Sequence, residues 1–176
     1  LSRAPLRGVT LGQTLKVAEL KTARYGFVAP LVAGAMLGGG SPELIAALER
    51  VGRQVGIAFQ LRDDLIGLFG DDALAGKDGG GDFVEGKRTF PLVAALTRAD
   101  AAGRERLEAL WAGPKNATTL QQAREELDRH GGRAATERVI ARATRTARAA
   151  LATLPAAHGA RGALDGLMAR LQRRNA

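Results

Sequence analysis

Cysteine is absent from this 176-residue sequence, which excludes both a disulfide framework and a thiolate metal site. Histidine is nearly absent: His130 and His158 stand alone in Gly- and Ala-rich breaks, where solvated surface residues are expected rather than ligands. Any metal must therefore be held by oxygen. Aromatic residues make up 4% of the chain, too few for a platform on which bases stack. No apolar run reaches the roughly 18 residues of a membrane-spanning helix, and no charged segment followed by an apolar one stands at the N-terminus. A cytoplasmic protein without stable membrane insertion is expected.

What is present fits one ordinary core. Hydrophobic residues make up 45% and charged residues 25% of the chain, near the averages for globular proteins, and the length suits a single domain over residues 1–176. The net charge of +8 suggests nucleic acid at first sight. Its distribution argues against that partner. Residues 1–100 carry 12 Lys and Arg against 11 Asp and Glu, whereas residues 101–176 carry 14 against 7. The excess lies in the tail, where Val139, Ile140, Ala143, Ala147, Leu151 and Leu154 form a helical stripe. Arg138, Arg142 and Arg145 occupy its other faces and read as a solvated basic surface. Trp111 and Met168 read as packing residues.

Alanine and leucine are abundant and apolar/polar alternation of strand length is missing, so an all-α fold is expected. A first helical stretch spans about Gly12 to Leu37, with a kink or break expected after Ala29 because Pro30 follows. "GGGSPEL" restarts the chain: Ser41 can cap, Pro42 suits the first helical position and Glu43 the positive end of the dipole. The next helix continues to about Phe69, with Leu44, Leu48, Val51, Val55 and Phe59 as its buried stripe. Gln60, Asp63, Asp64 and Gly67 share a neighbouring face, being three and four residues apart. Gly52 and Gly56 extend that face without side chains, as for the wall of a cavity with an acidic mouth.

Two adjacent carboxylates beside an apolar wall repel each other, and a cation relieves the repulsion. Oxygen-only ligation with few protein carboxylates suits Mg²⁺, which keeps waters and shares its site with substrate phosphates. The stretch "GDDALAGKDGGGDFVEGKR" adds glycines whose backbone N–H groups can approach an anion, together with Lys77, Lys87 and Arg88. A magnesium-type acidic site beside a phosphate-type basic site implies a diphosphate substrate. The same residues also admit a plainer account, in which the Asp pair is a solvated helix end and the loop a linker.

"GIAFQLRDDLIGLFGD", followed by "GK", "D" and "EGKRTFPLVAAL", resembles the second aspartate-rich motif and following loop of the trans-isoprenyl diphosphate synthases, the polyprenyl synthetase family. "KTARY" resembles that family's Lys-Thr motif. The resemblance extends from about Lys16 to Leu96. It implies an all-α antiparallel bundle of the isoprenoid synthase type with a central cavity lined by long helices, and usually a homodimer. It also implies Mg²⁺-dependent condensation of an allylic diphosphate with isopentenyl diphosphate. Carried over residue by residue, Asp63 would coordinate Mg²⁺ and Asp64 would ligate it or orient its water. Lys21 and Lys77 would hold the departing diphosphate, with Lys87 adding positive charge. Thr22 and Gln60 would direct oxygens at the allylic carbocation.

Three features depart from the family pattern. Position 67 is glycine where many members have a third aspartate; Asp71 and Asp72 form a further pair past the expected helix end; and the first aspartate-rich motif is absent. The chain is therefore expected to be the C-terminal part of a longer domain, inactive alone. A catalytically silent subunit of a heteromeric prenyl synthase and a basic helical nucleic-acid binder stand as alternatives. The intact second motif argues against the former, and the near-neutral first hundred residues against the latter.

Overall fold

A computed structural model describes residues 6–70, 80–154 and 160–172. Lys77, Asp71, Asp72 and His158 lie outside the described residues. Every regular element among the described residues is helical. After a short 3₁₀ turn at Leu6–Gly8 come α1 (Leu11–Ala18), a π-helical segment (Glu19–Val28) and α2 (Ala29–Leu37). Next are α3 (Pro42–Phe69), α4 (Gly81–Val84), α5 (Phe90–Arg98) and α6 (Ala101–Ala112). The last three are α7 (Ala117–Arg129), α8 (Gly132–Ala152) and α9 (Ala160–Gln172). They form two compact units, one from the described residues of Leu1–Leu15 and Leu61–Arg138, the other from those of Lys16–Gln60 and Val139–Asn175.

The first helical stretch does not break at Pro30. It runs from Leu11 to Leu37 and changes register instead: the Ala29 N–H reaches back five residues to the Arg24 carbonyl. The wide register ends just before Pro30, which stands in the first turn of α2. The restart follows the sequence closely. α3 begins at Pro42, and the Ser41 hydroxyl accepts the Leu44 N–H at 3.3 Å. At 28 residues α3 is about 42 Å long.

In the unit of Lys16–Gln60 and Val139–Asn175, Val51 and Val55 of α3 pack with Ala147 and Leu151 of α8 and Met168 of α9. Leu44 and Phe59, expected in the same stripe, are only half-buried; Phe59 instead packs on Phe27 with ring centres 5.5 Å apart. Arg138, Arg142 and Arg145 are exposed, and Ile140, Ala143, Ala147 and Leu151 are buried, as the tail pattern predicts. In the other unit, Leu68, Phe83, Leu92, Leu107, Trp111 and Leu127 form the core. His130 corrects the expectation of a solvated surface residue. Its ring packs over Gly103 and its Nε2 lies 3.2 Å from the Glu126 carboxylate. That carboxylate also receives Arg106 and Arg129, at 3.1 and 2.9 Å.

Candidate functional site

The Lys-Thr pair lies in the π-helical segment, whose wider turn is rare and recurs at functional sites. Lys21 is exposed, and the Thr22 hydroxyl makes a short hydrogen bond to the Gln60 side-chain carbonyl. With its proton committed to Gln60, the Thr22 oxygen keeps only acceptor capacity. Glu19 anchors the start of the segment. Its buried carboxylate meets Lys16 at 3.2 Å and Arg53 of α3 at 3.2 Å. Burial works to raise the Glu19 pKa, but the Lys16 hydrogen bond and the charges of Arg53, Lys16 and Arg24 together hold it below the ordinary glutamate value.

The strip of Gly52 and Gly56 corrects the sequence-based expectation of a bare cavity wall. A Cβ at Gly56 would lie 2.6 Å from the Ala23 Cβ and closer still to its Cα. One at Gly52 would lie 3.1 Å from the Val28 backbone. Both glycines are therefore contact points where α3 meets the π-helical segment backbone to backbone. The periodicity that groups them with Gln60 is correct, yet periodicity cannot say whether empty volume or another helix lies against a glycine.

One turn beyond Gln60, α3 carries Asp63, exposed, and Asp64, half-buried. Among the described residues no three His, Cys, Asp or Glu side chains are grouped as for a metal cage. The donor set is the carboxylate pair, and that chemistry suits a hard cation retaining several waters. One further turn on, Gly67 leaves a notch filled by another residue: a Cβ there would stand 2.6 Å from Asp82 Oδ2. Asp82 in turn accepts from Lys87 Nζ at 2.7 Å, and Glu85 lies 3.1 Å from the same ammonium. The Asp82 hydrogen bond raises the Lys87 pKa; burial opposes and Glu85 assists.

The described glycines near Lys87 set the two ends of α4. Gly80 (φ 87°) caps α4 at its start, in close contact with Leu120. Gly86 (φ 62°) ends it in a Schellman arrangement, with Gly86 N–H bonded to Phe83 O at 3.0 Å and Lys87 N–H to Asp82 O at 2.9 Å. Sequence reasoning read this segment as loop because four helical residues carry no period.

Trp111 is buried in the core, as its sequence reading as a packing residue expects; the partners that hold this segment are not legible in the sequence. Trp111 packs edge-on against Phe83 at 5.0 Å and donates its indole N–H to the Lys87 carbonyl at 3.2 Å. Lys115 sits 4.1 Å over the Phe83 ring and donates to the Leu110 and Trp111 carbonyls. Arg124 of α7 clamps the C-terminal end of α3, bonding Leu68 O at 2.7 Å and Gly70 O at 3.2 Å. Arg133 lies over the Phe69 ring. An arginine in an amphipathic helix carries no sequence signal that it faces a carbonyl 56 residues earlier.

A family model described as polyprenyl synthetase matches residues 3–127. The chain is 41% identical over 123 residues to a short chain isoprenyl diphosphate synthase of Methanothermobacter thermautotrophicus, covering 70% of this chain and 37% of that protein. It is 43% identical over 107 residues to a geranylgeranyl diphosphate synthase of Mycobacterium tuberculosis, covering 60% of this chain and 30% of that one. The crystal structure of a geranylgeranyl pyrophosphate synthase from Corynebacterium glutamicum, complexed with isoprenyl diphosphate and magnesium, superposes with a TM-score of 0.88 at 36% identity. That superposition covers 94% of this chain and 47% of the other. The chain thus spans less than half the length of each of these relatives. No described helix is long and apolar enough to cross a membrane.

Proposed function

Since the chain belongs to the polyprenyl synthetase family, we propose that the intact protein is a magnesium-dependent prenyltransferase that condenses an allylic diphosphate with isopentenyl diphosphate to give a longer trans-isoprenyl diphosphate. A homodimer in the cytoplasm is part of the same proposal. The observation that carries it is the order of groups along α3. Gln60 holds the Thr22 hydroxyl, and the next turn presents Asp63 and Asp64.

Asp63, with Asp64 beside it, would hold magnesium. The metal would supply charge neutralisation for the departing diphosphate. Lys21 and Lys77 would bind that diphosphate as point charges, and Lys87 would add to the positive field. Thr22 and Gln60, fixed by their mutual hydrogen bond, would offer oxygen dipoles to the carbocation left behind. Dipoles already oriented before charge separates stabilise it without reorganising. The double bond of isopentenyl diphosphate would then form the new carbon–carbon bond to the allylic cation, and the resulting cation would lose a proton to the departed diphosphate.

The test is incorporation of radiolabelled isopentenyl diphosphate into longer products by the intact protein. Incorporation should require magnesium and fall by orders of magnitude in Asp63→Asn. Undiminished incorporation in that variant would remove Asp63 from the site, and no incorporation by the intact wild-type protein with any allylic diphosphate would remove the activity.

A further inference from the structure

We propose that Asp82 is a positioning residue for Lys87, seated in the notch that Gly67 leaves in α3, so that the Lys87 ammonium is held at a fixed place relative to the Asp63–Asp64 end of that helix. The inference rests on the proposed role of Lys87 in diphosphate binding and deepens it.

Three observations combine. Space for a side chain at position 67 is already taken, because Asp82 Oδ2 and Cγ would lie 2.6 and 2.7 Å from a Cβ there. The same Asp82 carboxylate bonds Lys87 Nζ at 2.7 Å through Oδ1 and is largely buried, with 15% of its side chain exposed. The turn between them is hydrogen-bonded, through the Gly86 Schellman bonds and the Trp111 indole bond to the Lys87 carbonyl. Positions 67 and 82 thus share a single volume, and a carboxylate fills it from α4.

A free lysine on a flexible stem spends conformational entropy when it grips an anion, whereas one already fixed by a carboxylate spends less. The Asp82 charge also opposes anion binding at Lys87. The two effects have opposite signs, so charge removal without change of shape separates them. If Asp82 acts by positioning, Asp82→Asn weakens binding; if it acts only as a nearby negative charge, the same substitution tightens it.

The experiment uses the intact protein, with magnesium pyrophosphate as the probe, and reads its dissociation constant by calorimetry together with the melting midpoint. Asp82→Asn is expected to weaken binding by about tenfold, the scale of one charge-assisted hydrogen bond. Gly67→Ala, which expels the Asp82 carboxylate, is expected to weaken binding similarly and to lower the midpoint by about 3–8 °C. In an Asp82→Gly background the same Gly67→Ala change is expected to cost nothing. Equal cost of Gly67→Ala in both backgrounds overturns the seating. Tighter or unchanged binding in Asp82→Asn, with binding weakened in Lys87→Ala, overturns the positioning while leaving the role of Lys87 intact. Unchanged binding in Lys87→Ala overturns the diphosphate role itself, and the proposal with it.

Discussion

Gly56→Ala sets two forces of opposite sign against each other. In an isolated helix the change adds stability, because alanine exceeds glycine in helix propensity by about 1 kcal/mol. At this site the new methyl would lie 2.6 Å from the Ala23 Cβ and closer to its Cα. An ordinary carbon–carbon contact is about 3.5–4 Å. The π-helical segment must therefore retreat by about 1 Å. Ala23 Cα is backbone, so no rotamer change relieves the overlap, and overpacking of this kind costs about 1–3 kcal/mol or more. Gly52 against Val28 tightens the constraint, since the segment touches α3 there too. A net loss of up to about 2 kcal/mol remains after the propensity gain, which lowers the melting midpoint of a chain this size by up to about 8 °C. The retreat also carries Thr22 away from Gln60, so turnover in the intact protein should fall by about 10²-fold, as when one preorganised electrostatic contact is lost. Scanning calorimetry and a steady-state assay check both effects. A midpoint raised by 2 °C or more would show that propensity wins and that the close approach does not constrain the site.

Arg124→Ala removes two hydrogen bonds from the end of α3 and should cost about 1.5–3 kcal/mol, read as a lower urea midpoint at unchanged slope. Arg142→Ala, on the exposed basic face of α8, should leave that midpoint unmoved and serves as the charge-matched control. Lys77→Ala in the intact protein should lower kcat by about 10²-fold with a smaller rise in KM, since a departing diphosphate gains charge along the reaction path; a pure KM effect would count against that role. The pH dependence follows from Lys87, whose pKa the Asp82 hydrogen bond raises above the ordinary 10.5. A raised lysine contributes stability that is complete below its unfolded-state value and is lost as pH rises through the folded one. The gap in melting midpoint between wild type and Lys87→Met should therefore stay constant through neutral pH and close as pH rises above about 10.5; a gap that persists undiminished at strongly alkaline pH would contradict the pairing.

The sequence by itself determined the helical class, the bounds of α3 and the identity of its acidic pair. These depend on local physics: the Ser41 cap, the position of Pro42 and a helical period sustained over seven turns. It also marked Gln60, Asp63, Asp64 and Gly67 as neighbours, because covalent spacing alone sets their common face. Tertiary structure decided what each of those positions meets. Gly56 reads as empty space until Ala23 lies against it, and Gly67 reads as a missing aspartate until Asp82 is found in its notch. The Arg124 clamp and the Trp111 indole bond have no local signature, since a carbonyl partner tens of residues away leaves no trace in nearby spacing. Period and capping are written within one helical turn of the chain. Partners across helices are set by which surfaces pack, and packing sums weak contacts over residues distant in sequence.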